Sequence, residues 1–188
     1  KGLLGLMKDE AELAGVLAHE IIHVTEKHTV KAIQNSDGVK VLSDEVGSSG
    51  EMAQSLVTKL ADAAYSNILN NKFSRNDEGE ADEKGITLAN KVGYAPSGLS
   101  SALTKLSDRN KDAKEPNGLF ATHPQLKERI TKIDTLIKER KLGATATVQP
   151  RYAKNITFDA KPASELATVA EGSRGLAGGE EKKPAETK

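Results

Sequence analysis

Residues 9–25 read Asp-Glu-Ala-Glu-Leu-Ala-Gly-Val-Leu-Ala-His-Glu-Ile-Ile-His-Val-Thr, and the fold prediction starts from this stretch. Asp9 suits the N-cap of a helix, and Glu12 stands three residues later, in capping-box position. Apolar residues then recur at helical spacing, and the pattern runs to about Ala32. They include Leu13, Val16, Leu17, Ile21 and Val24. The sequence therefore predicts one long helix that is buried on its apolar side.

The same helix carries His19-Glu20-Ile21-Ile22-His23, an H-E-x-x-H motif. Two histidines four residues apart lie on one helical face, about one turn apart, so both imidazoles can reach one metal ion. Glu20 lies beside that face, close enough to take a proton from a water on the metal but badly placed to be a ligand. The alternative is a helical protein with two structural histidines. A catalytic zinc usually has three protein ligands, so the metal interpretation requires a third ligand elsewhere.

A metzincin would have its third histidine six residues after the second one, where this chain has Thr29. His28 is one residue out of register, so that class is excluded, and we interpret His28 as a packing or surface residue. Glu78 and Asp82 offer another solution, because they are four residues apart on one helical face. Glu78 could bind the metal while Asp82 accepts a hydrogen bond from a ligating histidine. The alternative is an acidic first turn that is favourable to the helix dipole.

The rest of the chain is predicted to be mainly helical, with a few short strands. Hydrophobic spacing, together with residues that interrupt helices, predicts four more helices: 52–69, Ser74 to Gly93, Pro96 or Ser97 to about Leu106, and one from Thr122 onward. The apolar stripe of the last helix is Leu126, Ile130, Ile133 and Ile137. Strand-like pieces are 39–42, 144–148 and 155–158, and residues 107–117 read as a loop.

Composition excludes several classes of function. The 188 residues include 27 basic and 27 acidic side chains, so the formal net charge is zero and no basic excess favours nucleic acid. The absence of cysteine excludes disulfides, zinc–thiolate sites and cysteine nucleophiles. No stretch approaches 18 apolar residues, so we expect no transmembrane segment in this sequence. The chemistry must come from other side chains, among them only four histidines.

Four motifs in order resemble the CaaX prenyl protease/HtpX-type zinc metallopeptidases, and most of all their soluble, BepA-like periplasmic branch. They are Glu12 to Glu20, Ser74 to Asp82, Gly93 to Pro96, and Thr122-His123-Pro124 through Arg129. The resemblance covers roughly residues 3–140. It implies a mainly α (α+β) fold, a zincin-like helical metallopeptidase domain with a small sheet.

The resemblance also implies roles for individual residues. His19, His23 and Glu78 would bind Zn²⁺, Glu20 would be the general base, and Asp82 would support a ligand. His123 would lie near the metal, either as a reversible fourth ligand or as a group that stabilises the oxyanion; the alternative is a residue that only starts a helix. Arg129 would pair with the acidic residues or steady substrate carbonyls, and a surface salt bridge is the alternative.

We therefore expect a zinc-dependent endopeptidase with protein or peptide substrates, including misfolded envelope proteins, in the periplasm or cell envelope. The alternative is a zinc-bound but self-blocked chaperone-like or binding module. The domain prediction is a catalytic domain at 1–142, a short β-like extension at 143–160 and a tail rich in Ala, Gly, Glu and Lys at 161–188. Family members have a helix and strands before the active-site helix, so we expect this N-terminal strand region to be missing here or supplied by a separate piece.

Overall fold

The computed structural model describes residues 2–34, 73–109, 123 and 125–157. These residues form seven helices: α1 (Gly2–Leu6), α2 (Glu10–Thr25), α3 (His28–Gln34), α4 (Arg75–Lys91), α5 (Ser97–Arg109), α6 (Leu126–Glu139) and α7 (Gln149–Asn155). The mainly α prediction is confirmed. Within the described ranges there is no sheet, only a parallel bridge between Tyr94 and Ala146. None of the helices described is both long and apolar enough to cross a membrane.

Helix α2 begins as predicted but ends earlier. Asp9 is the N-cap, and its side chain accepts a hydrogen bond of 3.0 Å from the backbone N–H of Glu12. The prediction of one helix to about Ala32 is wrong, because α2 ends at Thr25. Lys27 has a left-handed φ of 57°, and its N–H bonds to the carbonyl of Val24, which closes the helix before α3 begins. Neither Gly nor Pro marks this break in the sequence.

The buried face of α2 differs from the predicted one. Leu17, Ile21 and Val24 are exposed by 51%, 49% and 76%, so the prediction that they are buried is wrong. The helix instead packs through small residues and its histidines; the buried positions are Ala11, Glu12, Gly15, Val16, Ala18, His19, Ile22 and His23. Small residues allow close contact: a Cβ on Gly98 of α5 would lie only 2.1 Å from the carbonyl oxygen of Ala11. Close approach of the backbones therefore determines which face is inside.

Helix α4 packs directly on α2. Ser74 caps it in a full capping box with Asp77, and Gly93, with φ of 93°, follows its end, as predicted. Gly85 faces α2, and a Cβ there would lie 3.1 Å from the backbone nitrogen of His19. This contact holds the acidic first turns of α4 close to the H-E-x-x-H motif.

Helices α5 and α6 complete the core. The predicted loop at 107–117 is wrong at its start, because α5 continues through Arg109. Helix α6 begins at Leu126, later than predicted, after Gln125 in a left-handed conformation. Leu126 and Ile133 are buried, while Ile130 and Ile137 are partly buried against the core, which confirms the predicted stripe.

The prediction of strands after α6 is wrong for the residues described there. Residues 144–148 contribute only the bridge at Ala146, and Asn155 ends a helix rather than beginning a strand. Pro150 lies in the first turn of α7, where its missing N–H costs no hydrogen bond. The hydroxyl of buried Tyr152 donates to the carbonyl of Leu4 at 2.6 Å, so this segment packs on α1. The predicted helix at 52–69, the strand at 39–42 and the tail from 161 lie outside the described residues.

Candidate metal centre

Three imidazoles and one carboxylate converge between α2, α4 and the start of α6. They belong to His19, His23, Glu78 and His123, and one donor atom from each lies within 4.8 Å of all the others. The Nε2 atoms of His19 and His23 are 2.9 Å apart, and Nδ1 of His123 is 2.8 Å from Oε1 of Glu78 and 3.3 Å from Nε2 of His19. All four residues are buried. The structure therefore brings together the three predicted ligands and the histidine predicted to lie near them.

Asp82 and Arg129 form a buried layer behind this cluster. Oδ1 of Asp82 is 3.0 Å from Nδ1 of His19. The guanidinium of Arg129 donates to both Asp82 oxygens, at 2.8 and 2.6 Å, and its third nitrogen pairs with Glu78. Arg129 is buried against the two carboxylates, so the alternative of a surface salt bridge is wrong, and a contact with substrate carbonyls stays a prediction.

The charges in this layer are held in place by one another. Burial alone would raise the pKa of Glu78, but the hydrogen bond with His123 and the charge of Arg129 outweigh it and hold that pKa below its usual range. For the same reason the pKa of Asp82 is lowered, with His19 and Arg129 outweighing burial. Burial lowers the pKa of His19 despite Asp82 beside it. The favoured state thus has two ionised carboxylates and a neutral His19.

The hydrogen-bond partners of the histidines indicate which ring nitrogens could bind a metal ion. A carboxylate can only accept, so we assign the proton of His19 to Nδ1, facing Asp82, which leaves a lone pair on Nε2. His28 contacts Oε2 of Glu80 through Nε2 at 3.2 Å, and its Nδ1 lies 2.9 Å from Nδ1 of His23. If the proton of His28 lies on Nε2, facing Glu80, then Nδ1 of His28 accepts from Nδ1 of His23, and Nε2 of His23 carries a lone pair. Two lone pairs and an ionised carboxylate face one point, and this donor set fits a divalent cation such as Zn²⁺.

Glu20 lies at the rim of the cluster. Its Oε1 is buried without a hydrogen-bond partner among the described residues and lies 3.6 Å from Nε2 of His123. The side chain as a whole remains 41% exposed. The carboxylate therefore lies between the cluster and the solvent.

Three residues of the centre were not predicted. His28, interpreted from sequence as packing or surface, is fully buried and contacts His23, and Glu80 lies behind it. The ring of Phe73 stacks on His23 with centroids 4.0 Å apart. Phe73 directly precedes the N-cap of α4, and no local sequence pattern indicates its contact with His23.

A helical domain in which an H-E-x-x-H pair meets a glutamate from a later helix is typical of the gluzincin class of metallopeptidases. The chain belongs to peptidase family M48, whose sequence profile matches residues 1–137. Membership in a metallopeptidase family implies a metal cofactor, and the cluster of histidines and Glu78 is where the described residues could hold it.

Similarity to individual proteins is moderate and partial. The chain is 30% identical over 148 residues to the beta-barrel assembly-enhancing protease of Yersinia pestis, covering 75% of this chain and 30% of that protein. It is 32% identical over 133 residues to the metalloprotease YcaL of Escherichia coli, covering 70% and 51%. The mitochondrial metalloendopeptidase OMA1 of Schizosaccharomyces pombe is 27% identical over 139 residues, covering 74% and 40%. The chain thus spans about a third to a half of the length of these relatives.

Proposed function

We propose that residues 1–142 form the catalytic domain of a zinc-dependent endopeptidase. The observation that carries this proposal is the convergence of buried His19, His23 and Glu78, with one donor atom of each within 4.8 Å of the others, inside a chain that belongs to a peptidase family. Oxygen and nitrogen donors from two histidines and one glutamate are a common ligand set of catalytic zinc. When bound there, zinc would supply Lewis-acid polarisation of a water and of the scissile carbonyl.

In this proposal Glu20 is the general base. Its carboxylate lies at the rim of the cluster, where it can accept the proton of the water that attacks the peptide carbonyl. It then delivers that proton to the leaving amine, so that Glu20 ends the cycle ionised as it began. The lack of a hydrogen-bond partner on Oε1 supports the role, since that oxygen has no partner to give up before it accepts a proton.

His123 has a second role in the proposal. Its Nδ1 lies 2.8 Å from Oε1 of Glu78 and 3.3 Å from Nε2 of His19, and in the tautomer with the proton on Nε2 it would be a reversible fourth ligand of a bound cation. The Nε2–H of that tautomer, on the side that faces Glu20, could instead help hold the oxyanion during turnover. Arg129 acts through Asp82 and Glu78, which it keeps ionised and in place.

We further propose protein substrates in the cell envelope, including misfolded proteins, and action in the periplasm. The support is likeness to proteases, two of them named for beta-barrel assembly in Yersinia pestis and Vibrio cholerae. The self-blocked binding module is not favoured, because relatives across the matches are named as proteases. Tyr152 packs against α1 through its hydrogen bond to the carbonyl of Leu4, and we propose that residues 143–160 are a short extension of the catalytic domain.

The test compares Glu20→Gln and His123→Ala with the unchanged chain for zinc content and for cleavage of unfolded casein. Glu20→Gln keeps one zinc per chain but loses about 10²- to 10⁴-fold in cleavage rate, because only the base is removed. His123→Ala also keeps zinc, and its cleavage rate changes.

Undiminished cleavage by Glu20→Gln, measured on protein free of contaminating protease, contradicts the assignment of the base. An unaltered rate in His123→Ala contradicts the role of His123 alone. Matched controls are Glu83→Gln and Lys127→Ala, which alter charges away from the cluster and leave both readouts unchanged.

A further inference from the structure

His28 is the histidine without a role in the proposed reaction, yet it is the most deeply buried of the four. Its Nδ1 lies 2.9 Å from Nδ1 of His23, on the side of the His23 ring that faces away from the cluster. Its Nε2 lies 3.2 Å from Oε2 of Glu80 on α4. A continuous path of polar contacts thus joins the proposed ligand His23 to a carboxylate that is partly exposed at the surface.

The break between α2 and α3 makes this contact possible. On an unbroken helix, five residues turn through about 500°, so His28 would point about 140° away from His23. The left-handed φ of Lys27 ends α2 and starts α3 at His28, and the two rings then meet. The positive φ of a non-glycine residue is uncommon, and here it coincides with the placement of a buried imidazole.

The Glu80 carboxylate determines which atom donates in each hydrogen bond along this path. Oε1 of Glu80 accepts a hydrogen bond from Nζ of Lys84 at 2.6 Å, and its Oε2 lies 3.2 Å from Nε2 of His28, where a carboxylate paired with a lysine can only accept. His28 therefore presents its N–H to Glu80 and a lone pair to His23, and His23 carries its proton on Nδ1. Its Nε2 is then unprotonated toward the cluster, as a metal ligand must be.

We propose that His28, held by Glu80, is a positioning residue that fixes the tautomer and ring orientation of His23 for metal binding. The inference rests on the proposed metal site. His28 would thus accept the Nδ1 proton of His23, as Asp82 accepts the Nδ1 proton of His19. Partners of this kind change metal affinity by about 10- to 100-fold when they are removed.

Two substitutions at His28 separate this role from packing. His28→Asn keeps an acceptor near the position of Nδ1 but removes volume, whereas His28→Leu keeps volume but removes the acceptor. The measurements are the dissociation constant for Zn²⁺, by competition with a chromophoric chelator, and the visible spectrum of the Co²⁺-loaded protein. We expect His28→Leu to bind Zn²⁺ about 10- to 100-fold more weakly with an altered Co²⁺ spectrum, and His28→Asn to stay within about threefold of the unchanged chain.

Glu80→Ala tests the outer end of the path at a surface position that does not threaten folding. It should weaken Zn²⁺ binding by about tenfold. Lys84 also contacts Glu26, at 2.7 Å, so Glu26→Ala is the matched control: it disturbs the same lysine without touching His28 and should leave Zn²⁺ affinity unchanged.

The outcomes separate the inference from the proposed function. If the unchanged chain binds no stoichiometric metal, the proposed function fails and this inference fails with it. If it binds metal and His28→Leu retains full affinity, or His28→Asn is the weaker binder of the two, His28 only packs and the inference alone is overturned. Unchanged affinity in Glu80→Ala overturns it as well.

Discussion

The two motif histidines lie one turn apart on α2, yet they are held by different chemistry. His19 faces the Asp82 side, which we define as Asp82 and Arg129, a buried pair of opposite charges. His23 faces the His28 side, which we define as His28 and Glu80, an imidazole backed by a partly exposed carboxylate. The Asp82 side is therefore expected to matter for the stability of the fold, because its charges compensate one another in the interior. The His28 side is proposed to orient His23 and is expected to contribute less to stability.

The largest effect on stability is expected on the Asp82 side. Arg129→Ala leaves the buried carboxylates of Asp82 and Glu78 without their cation, and removing one partner of a buried pair costs about 3–5 kcal/mol. The free energy of unfolding of the metal-free protein, measured with denaturant, checks this value.

A matched control joins the same two elements. Arg140, the C-cap residue of α6, pairs with Glu83 of α4, but both side chains are about 40% exposed. Arg140→Ala should therefore cost only about 0–1 kcal/mol. Similar losses in the two variants would contradict the claim that burial distinguishes these arginines.

A smaller effect is expected from acidification, again through the Asp82 side. The pKa of His19 is below its ordinary 6.5 in the folded protein, so the unfolded chain takes up the proton first and stability falls as the pH drops below about 6.5. The pKa values of Glu78 and Asp82 lie below the ordinary 4.5 and 3.8, so their contribution is complete above those values, starts to decline below them and is lost as the pH falls through the lower pKa values of the folded protein.

Denaturant unfolding of the metal-free protein at pH 7.5, 5.5 and 4.5 measures this trend. We expect stability to decline at each step, and the decline between pH 7.5 and 5.5 to be smaller in His19→Ala. Stability that is constant or rises on acidification is incompatible with the lowered pKa values.

The sequence predicted the parts of the centre that are encoded locally. The spacing of His19 and His23, the cap at Asp9, and the capped start of α4 at Ser74 follow from rules that act within one or two turns. The four ordered motifs indicated which later segments of the chain contact α2. The structure brings all seven predicted site residues to one place, and their roles stay predictions.

What the sequence did not predict depends on contacts between elements. Leu17, Ile21 and Val24 have the spacing of a buried stripe, but close approach at Gly15 and Gly98 places the opposite face of α2 inside. The break at Lys27 has no local signal, and without it His28 could not be placed against His23. Where hydrophobic periodicity gave the wrong buried face or helix end, contacts between helices determined the actual structure.

The most direct test of the central claim is the zinc content of the purified chain after metal removal and dialysis against Zn²⁺. The account predicts one zinc per chain, and a loss of bound zinc in His23→Ala. No stoichiometric zinc in the unchanged chain, or the same zinc content in His23→Ala, would contradict it.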